Sequence, residues 1–261
     1  MTMCDVSVLM RLYCHPIEDA VRTVTDVATQ DQPRSVVVTP NLHHLLLLQE
    51  SQSFVDSYSA ALLILPDGWP VCLLRRVAVG QRCARVTGAD FVSCFARLTD
   101  RPVTVAIVGG APSAAKMAAE RMRAENPYIE VVLVDPASPG SMSDSAFRDD
   151  LQNRVELVNP NIIFLGLGAP KQEVFAHQYL TGPAAGTGVV LCVGAAIDFY
   201  AQVKRRAPRH IQILRLEWLY RALSEPRRLG RRYMSAALFL PSAVSATLRL
   251  RADLRGTTHP T

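Results

Sequence analysis

Short apolar, β-branched runs alternate along this chain with longer stretches in which apolar residues recur every three or four positions. The runs Ser35-Val-Val-Val-Thr39, Ala60 to Leu65, Val103 to Val108, Ile129 to Val134, Ile162 to Leu167 and Gly188 to Val193 are too short for typical helices. Bounded by Pro, Gly, Asn or Asp, they predict six strands, most of them buried on both faces. Residues 16 to 30 place Ile17, Ala20, Val21, Val24 and Val27 at helical spacing. Further helices are predicted over Leu42 to Gln49, Ala89 to Leu98, Ala114 to Ala124, about 145 to Val158, and from Pro170 onward. Trp69 to Arg76 reads as a short helix or loop, residues 136 to 145 as a Pro/Gly/Ser connection, and 208 to 254 as two or more helices. Regular strand and helix alternation predicts an α/β fold, a Rossmann-like parallel sheet with helices on both faces. It occupies residues 1–203, and a helical C-terminal appendage occupies 204–261.

In open sheets of this kind ligands bind outside the carboxyl ends of the strands. Five junctions are therefore expected to face one cleft: Thr39-Asn41, Asp67-Gly68, Gly109-Gly110, Gly166-Gln172 and Gly194-Asp198. In Gly166-Leu-Gly-Ala-Pro-Lys-Gln172, Gly166 and Gly168 permit a tight turn and Pro170 suits the first helical position. A glycine turn against a helix N-terminus favours an anion, and Lys171 and Gln172 add donors. The inventory suits a phosphorylated ligand plus one general base. Asp67, delivered to a strand end by Asp-Gly, is the better base candidate, although Asp serves equally in turns and caps. Asp198 is a candidate for a nucleoside hydroxyl, with an N-cap or a pairing with Arg205 or Arg206 as its structural alternative.

Composition narrows the field. Hydrophobic residues make up 49% of 261, and no uncharged apolar run reaches the roughly 18 to 20 residues of a membrane span. The longest candidate, Tyr233 to Leu248, is interrupted by Pro241. No secretory signal is visible at the N-terminus, so a cytoplasmic location is expected. The six cysteines lack a C-x-x-C pairing and are expected to be buried, reduced thiols. His43-His44 and the other histidines lack ligand spacing, so neither a metal site nor a cofactor is expected.

Net charge is +5, but Lys204 to Arg255 alone carries 13 Lys/Arg against 3 Asp/Glu. Such an end suits nucleic acid, anionic lipid or a phosphorylated substrate. Two rival readings stay open: a nucleotide-binding oxidoreductase, which lacks the G-x-G-x-x-G fingerprint here, and a nucleic-acid-binding module using the basic end, which lacks a reader motif. Met234, Ala237, Leu238, Val244 and Leu248 recur at helical spacing between arginines. They are expected to lie on a membrane surface, the alternative being a helix packed on the sheet or on a second subunit of a homo-oligomer.

Several stretches together resemble the WecG/TagA/CpsF glycosyltransferases. They are Thr39-Pro-Asn41, Leu65-Pro-Asp-Gly68, Arg85-Val-Thr-Gly-Ala-Asp90, Val108-Gly-Gly-Ala-Pro112, Leu165-Gly-Leu-Gly-Ala-Pro-Lys-Gln-Glu173, Val193-Gly-Ala195, Arg206-Ala-Pro208 and Leu216-Glu-Trp-Leu-Tyr-Arg221 with Glu225-Pro-Arg-Arg228. The resemblance implies an inverting, metal-independent transfer from a UDP-sugar to a polyprenyl-diphosphate-linked acceptor, carried out peripherally on the inner face of the plasma membrane, with no nucleic-acid partner. It implies a hexose-type sugar: N-acetylmannosamine, its uronic acid, or a glucose-like sugar. It makes Asp67 the base, places Thr39, Asn41 and Arg85 in the same pocket, and brings Arg221, Arg228 and Arg231 over the donor diphosphate or onto the membrane. Gln202 and Arg215 stand where the family pattern leads one to expect glycine, and 136 to 145 lacks a Gly-Tyr-Phe-like turn; these differences bear on donor-pocket shape.

Overall fold

A computed structural model describes residues 6–137, 140–182 and 186–256. All six expected strands are present: β1 (Ser35–Val38), β2 (Ala61–Ile64), β3 (Val103–Gly109), β4 (Ile129–Asp135), β5 (Ile162–Gly166) and β6 (Val189–Cys192). They form one parallel sheet in the order β2-β1-β6-β5-β3-β4. The helices are α1 (Ile17–Ala28), α2 (Leu42–Glu50), α3 (Gln52–Ser59), α4 (Trp69–Val79), α5 (Gly88–Leu98), α6 (Ala114–Glu125), α7 (Ser145–Val158), α8 (Lys171–Thr181), α9 (Ala196–Tyr200), α10 (Arg209–Ile213), α11 (Glu217–Ser224) and α12 (Pro226–Gly256). Four elements have no counterpart in the sequence reading: α3, α9 and two 3-10 helices, over Ser7–Arg11 and Ser141–Ser143.

Strand periodicity of two divides the core. Val36, Val38, Ile163, Leu165, Val190 and Cys192 face one layer, built from α2, α3, α4, α7, α8 and α12. Val37, Ile162, Phe164, Val189 and Leu191 face the other, built from α1, α5, α6 and α9. Two-sided burial is why these strands read as continuous apolar runs rather than alternating ones.

The C-terminal helix α12 packs on the fold through one of its faces. Ala236, Ala243, Ala246 and Thr247 of α12 are buried, and the helix packs against α4 and α2. Met234 and Leu238, on another face, are exposed. The residues read as a membrane stripe, Met234, Ala237, Leu238, Val244 and Leu248, are all exposed, on the side away from the buried alanines. One expectation is corrected, that of the thiols: Cys192 is buried, but Cys14, Cys72, Cys83 and Cys94 are only half-buried, and Cys4 lies outside the described residues.

Gly109 ends β3 with φ +90°, and a Cβ there would meet the carbonyl carbon of Gly166 at 2.9 Å. Two neighbouring strand ends approach closely because neither carries a side chain. Gly80, at φ +78°, has open space around it. Gly109→Ala should therefore cost about 3 kcal/mol, from backbone strain plus overpacking, and Gly80→Ala about 1 kcal/mol from strain alone. Urea unfolding midpoints at constant m-value measure the difference; equal losses would show that the β3 and β5 ends part freely.

Candidate active site

Four adjacent strand ends, those of β2, β1, β6 and β5, open into one cleft of about 300 Å³ roofed by α11 and α12. The sheet order explains which expected residues gather there. Thr39, Asn41, Asp67, Arg85, Gly168, Gln172 and Arg221 all line the cleft. Gly109, Gly110, Gly166, Lys171, Asp198, Arg206 and Arg231 do not. The β3 turn lies beyond β5, where Asp198 Oδ1 accepts from Ala111 N at 2.7 Å and Asp198 Oδ2 pairs with Lys204 Nζ at 2.9 Å. Gly110 makes room for this contact, since a Cβ there would lie 3.1 Å from Asp198 Oδ1. Gly166 likewise lets Ile197 of α9 approach. Arg228 lies on α12, and its side chain is outside the described residues.

Asp67 follows β2, its backbone N–H donating to Pro40 O at 2.8 Å. Its carboxylate has no hydrogen-bond or ion-pair partner among the described residues. Burial raises its pKa to about 6, against the opposing pull of Arg221 and Arg85. A carboxyl poised there is largely ionised at neutral pH and still basic enough to take a proton. Asn41 begins α2, its Oδ1 accepting from His43 N at 3.0 Å, which leaves its amide N–H groups to the cleft. Thr39 Oγ1 donates to Cys192 O at 2.8 Å and ties β1 to β6 at the cleft floor.

Gln172 occupies the hub. Its Oε1 accepts from Gly168 N and Gly194 N, both at 3.1 Å, and its Nε2 donates to Glu173 Oε1 at 2.8 Å. The turns after β5 and β6 are thereby joined. Glu173 is fully buried, with Oε2 unpartnered, and burial raises its pKa to about 7.

Arginines supply the positive charge. Arg85 donates to Glu217 Oε2 at 3.0 Å, and Arg206 donates to Glu217 Oε1 at 3.1 Å while also pairing with Asp90. Glu217 therefore clasps α11 to the body through both arginines. Arg221 lies over the Phe199 ring at 5.5 Å and has no carboxylate partner among the described residues. Arg232 was not singled out in the sequence. It lines the cleft deeply enough that burial lowers its pKa, and it too has no carboxylate partner among the described residues. Helix phase distinguishes it from Arg231: Leu229, Arg232, Ala236 and Ala243 share the inward face, whereas Arg231 and Met234 are exposed. His43 also lines the cleft, with Nδ1 unpartnered and its pKa lowered to about 4 by burial and by Arg232.

Gln202 and Arg215, the two positions where glycine was expected, have φ of +59° and +63°. Both sit in the left-handed region, the physical reason a glycine suits them. Arg215 lines the cleft, so here the left-handed position also contributes a charged side chain.

A cleft at the carboxyl edge of a parallel sheet, lined by Asp67 and by three arginines, Arg215, Arg221 and Arg232, with no carboxylate partner among the described residues, is the candidate active site of this fold. Residues 6–253 match the Glycosyl transferase WecG/TagA/CpsF family, and the chain belongs to it. It is 29% identical over 218 residues to an N-acetylglucosaminyldiphosphoundecaprenol N-acetyl-beta-D-mannosaminyltransferase of Bacillus spizizenii, covering 82% of this chain and 78% of that one. It is 26% identical over 200 residues to a protein of the same name from Bacillus subtilis, covering 76% of this chain and 74% of that one. The protein is a glycosyltransferase.

Glu173 gives a test of the hub. Its folded pKa lies above its unfolded value, so the native state holds a proton that the unfolded chain releases between about pH 4.5 and 7. The stability this contributes is complete below pH 4.5 and is lost as pH rises through 7. Asp67 titrates in the same direction, so wild type is compared with Glu173→Gln, which removes only the Glu173 share. The variant should lose on the order of 2 kcal/mol less than wild type between pH 5 and 8 in urea titrations. Identical pH slopes would mean that Glu173 is ionised throughout.

Proposed function

We propose that the protein is an inverting glycosyltransferase that moves an N-acetylmannosamine-type sugar from a UDP donor to a polyprenyl-diphosphate-linked saccharide. The observation that carries this reading is Asp67, an unpaired carboxylate with a pKa of about 6, in one cleft with Arg221 and Arg232. The acceptor hydroxyl donates its proton to Asp67 as its oxygen attacks the anomeric carbon. The bond to the donor phosphate breaks, and the charge accumulating on the leaving diphosphate is met by the two arginines and by the N-termini of α2, α4 and α8. Neither arginine has to release a carboxylate first.

The inverting course is part of this proposal: a single displacement needs one base, the role given to Asp67, and the other carboxylate lining the cleft, Glu217, is held by Arg85 and Arg206. Arginines with helix N-termini perform the charge stabilisation for which other transferases use a divalent cation, so the reaction is metal-independent. The sugar and acceptor classes rest on the names of the two Bacillus relatives.

Asp67→Asn should lower transfer at least about 100-fold and leave UDP affinity within about threefold, because the carboxylate serves the acceptor proton. Wild-type turnover should fall about tenfold per pH unit below pH 6 as Asp67 protonates. Assays run in EDTA test the arginine account at the same time. Lost UDP binding with transfer intact at saturating donor would make Asp67 a binding residue instead.

The α12 phase gives a second test. Arg232→Ala should weaken UDP binding about 10- to 100-fold by calorimetry, and Arg231→Ala by less than about threefold. The reverse order would place the diphosphate outside the cleft.

A lipid-linked acceptor requires contact with a bilayer. No helix among the described residues is long and apolar enough to cross one. Beside the cleft, however, Leu223 is 74% exposed and Leu238 75%, with Ile213, Leu214 and Met234 also exposed among arginines. This surface fits the interfacial region of an anionic membrane. Leu223→Glu with Leu238→Glu should abolish sedimentation with phosphatidylglycerol liposomes and leave thermal stability unchanged; undiminished sedimentation would move the membrane contact elsewhere.

A further inference from the structure

Helix α10 ends in a turn that suits glycine and carries an arginine instead. Leu216 N donates to Ile211 O and Arg215 N donates to Gln212 O, both at 3.0 Å. These paired bonds close a helix C-terminus by putting one residue just past its end, here Arg215, in the left-handed region, and its φ is +63°. Glycine takes such a position without steric cost, whereas a residue with a Cβ is strained there. Three non-glycine residues have positive φ among the described residues, and of them only Arg215 lines the cleft. Strain held at a cleft points to the work of the side chain it carries.

The surroundings of Arg215 narrow its ligand. It is exposed, whereas Arg221 and Arg232 are half-buried, so it stands nearer solvent than the pair assigned to the leaving diphosphate. No hydrogen bond or ion pair ties its side chain to another group among the described residues. Ile213 and Leu214 before it are 71% and 65% exposed, and Leu216 and Trp218 after it are exposed too. A nucleoside diphosphate has nothing to match that apolar border. An anion attached to an apolar chain matches both the border and the charge.

We propose that Arg215 binds the diphosphate of the lipid-linked acceptor at the mouth of the cleft and so sets acceptor affinity. This assignment rests on the acceptor class of the function proposed above. That reaction has two diphosphates to hold apart: the donor's leaves, and the acceptor's stays between its sugar and its lipid. The acceptor's lies towards the bilayer that holds the chain, and Arg215 is the cleft arginine on that side. Its guanidinium can give two parallel N–H bonds to phosphate oxygens while Ile213, Leu214 and Leu216 meet the start of the chain. The two hydrogen bonds of the turn fix the backbone from which the side chain reaches, so less freedom is lost on binding.

Arg215→Gly tests this and spares the fold, because glycine relieves the strained turn; its thermal midpoint should be no lower than that of wild type. In calorimetry on the full chain, farnesyl diphosphate serves as a short, soluble lipid diphosphate. The variant should bind it about 5- to 20-fold more weakly and bind UDP within about twofold of wild type. Arg215→Lys should recover only part of the loss, since an ammonium keeps the charge without the paired bonds. In turnover assays the acceptor KM should rise about fivefold or more while the donor KM stays within about twofold. Unchanged farnesyl diphosphate binding overturns the proposal. An equal loss of UDP affinity also overturns it and puts Arg215 in the donor site, and an equal loss of sedimentation with phosphatidylglycerol liposomes overturns it in favour of a headgroup contact. Farnesyl diphosphate binding that depends on Arg215, in a chain that transfers no sugar, supports the diphosphate subsite and counts against the proposed function.

Discussion

The cleft depends on one amide. Gln172 Oε1 accepts from the backbone N–H groups of Gly168 and Gly194, which follow different strands, and so fixes the distance between the β5 and β6 turns. Backbone N–H groups at strand ends must find acceptors, and here one side chain satisfies two of them. Its own N–H donates to a buried carboxyl, whose burial is tolerated because it can hold a proton near neutrality. The floor on which Thr39, Asn41 and Asp67 are arranged is therefore set by a polar triad inside an apolar layer. Removing one member would leave the others unsatisfied in a place water cannot easily reach.

The roof is held by different physics. Glu217 accepts from Arg85 of the body and Arg206 of the appendage, and all three are partly exposed, so the clasp is weakened by solvent and salt in a way the floor is not. Apolar packing does the rest. Ala236, Ala243 and Ala246 bring α12 onto the layer that contains Val36, Val38 and Cys192. The appendage thus shares a core with the sheet while presenting Arg232 to the cleft and Leu238 to solvent. With 3.6 residues per turn, a single helix has room for all three faces.

Much of this was legible from residue order. Six strands, the four inner ones buried on both faces, left six apolar runs, and alternation with helices gave a parallel sheet, because both signals come from burial that the sequence must encode. The positions of Asp67, Thr39, Asn41 and Gln172 followed from strand ends. Strand order did not. Nothing local says that β3 lies beyond β5, so the Gly109-Gly110 turn and Asp198 were grouped with the cleft although they form a separate contact with each other. Helix α3 was hidden by its short, polar sequence, and its start depends on Ser51 Oγ accepting from Phe54 N, a single cap. Arg232 was missed in favour of Arg231 for lack of phase: adjacent arginines on a helix differ by about 100°, and only the buried partners decide which one points inward.

The cleft also holds charge that the fold alone would not favour. Among the described residues Asp67 has no partner, and Arg221 and Arg232 have no carboxylate, yet a desolvated charge without a counter-ion destabilises a protein. Structural arginines in this chain look different: Arg206 has two carboxylates and Arg121 has Glu125. In the proposed reaction, Arg221 and Arg232 are compensated when an anion arrives beside the N-termini of α2, α4 and α8, and the same donors then stabilise it as a leaving group. On the function proposed above, the cost of these charges to the fold and their affinity for a diphosphate are two consequences of one arrangement of charge.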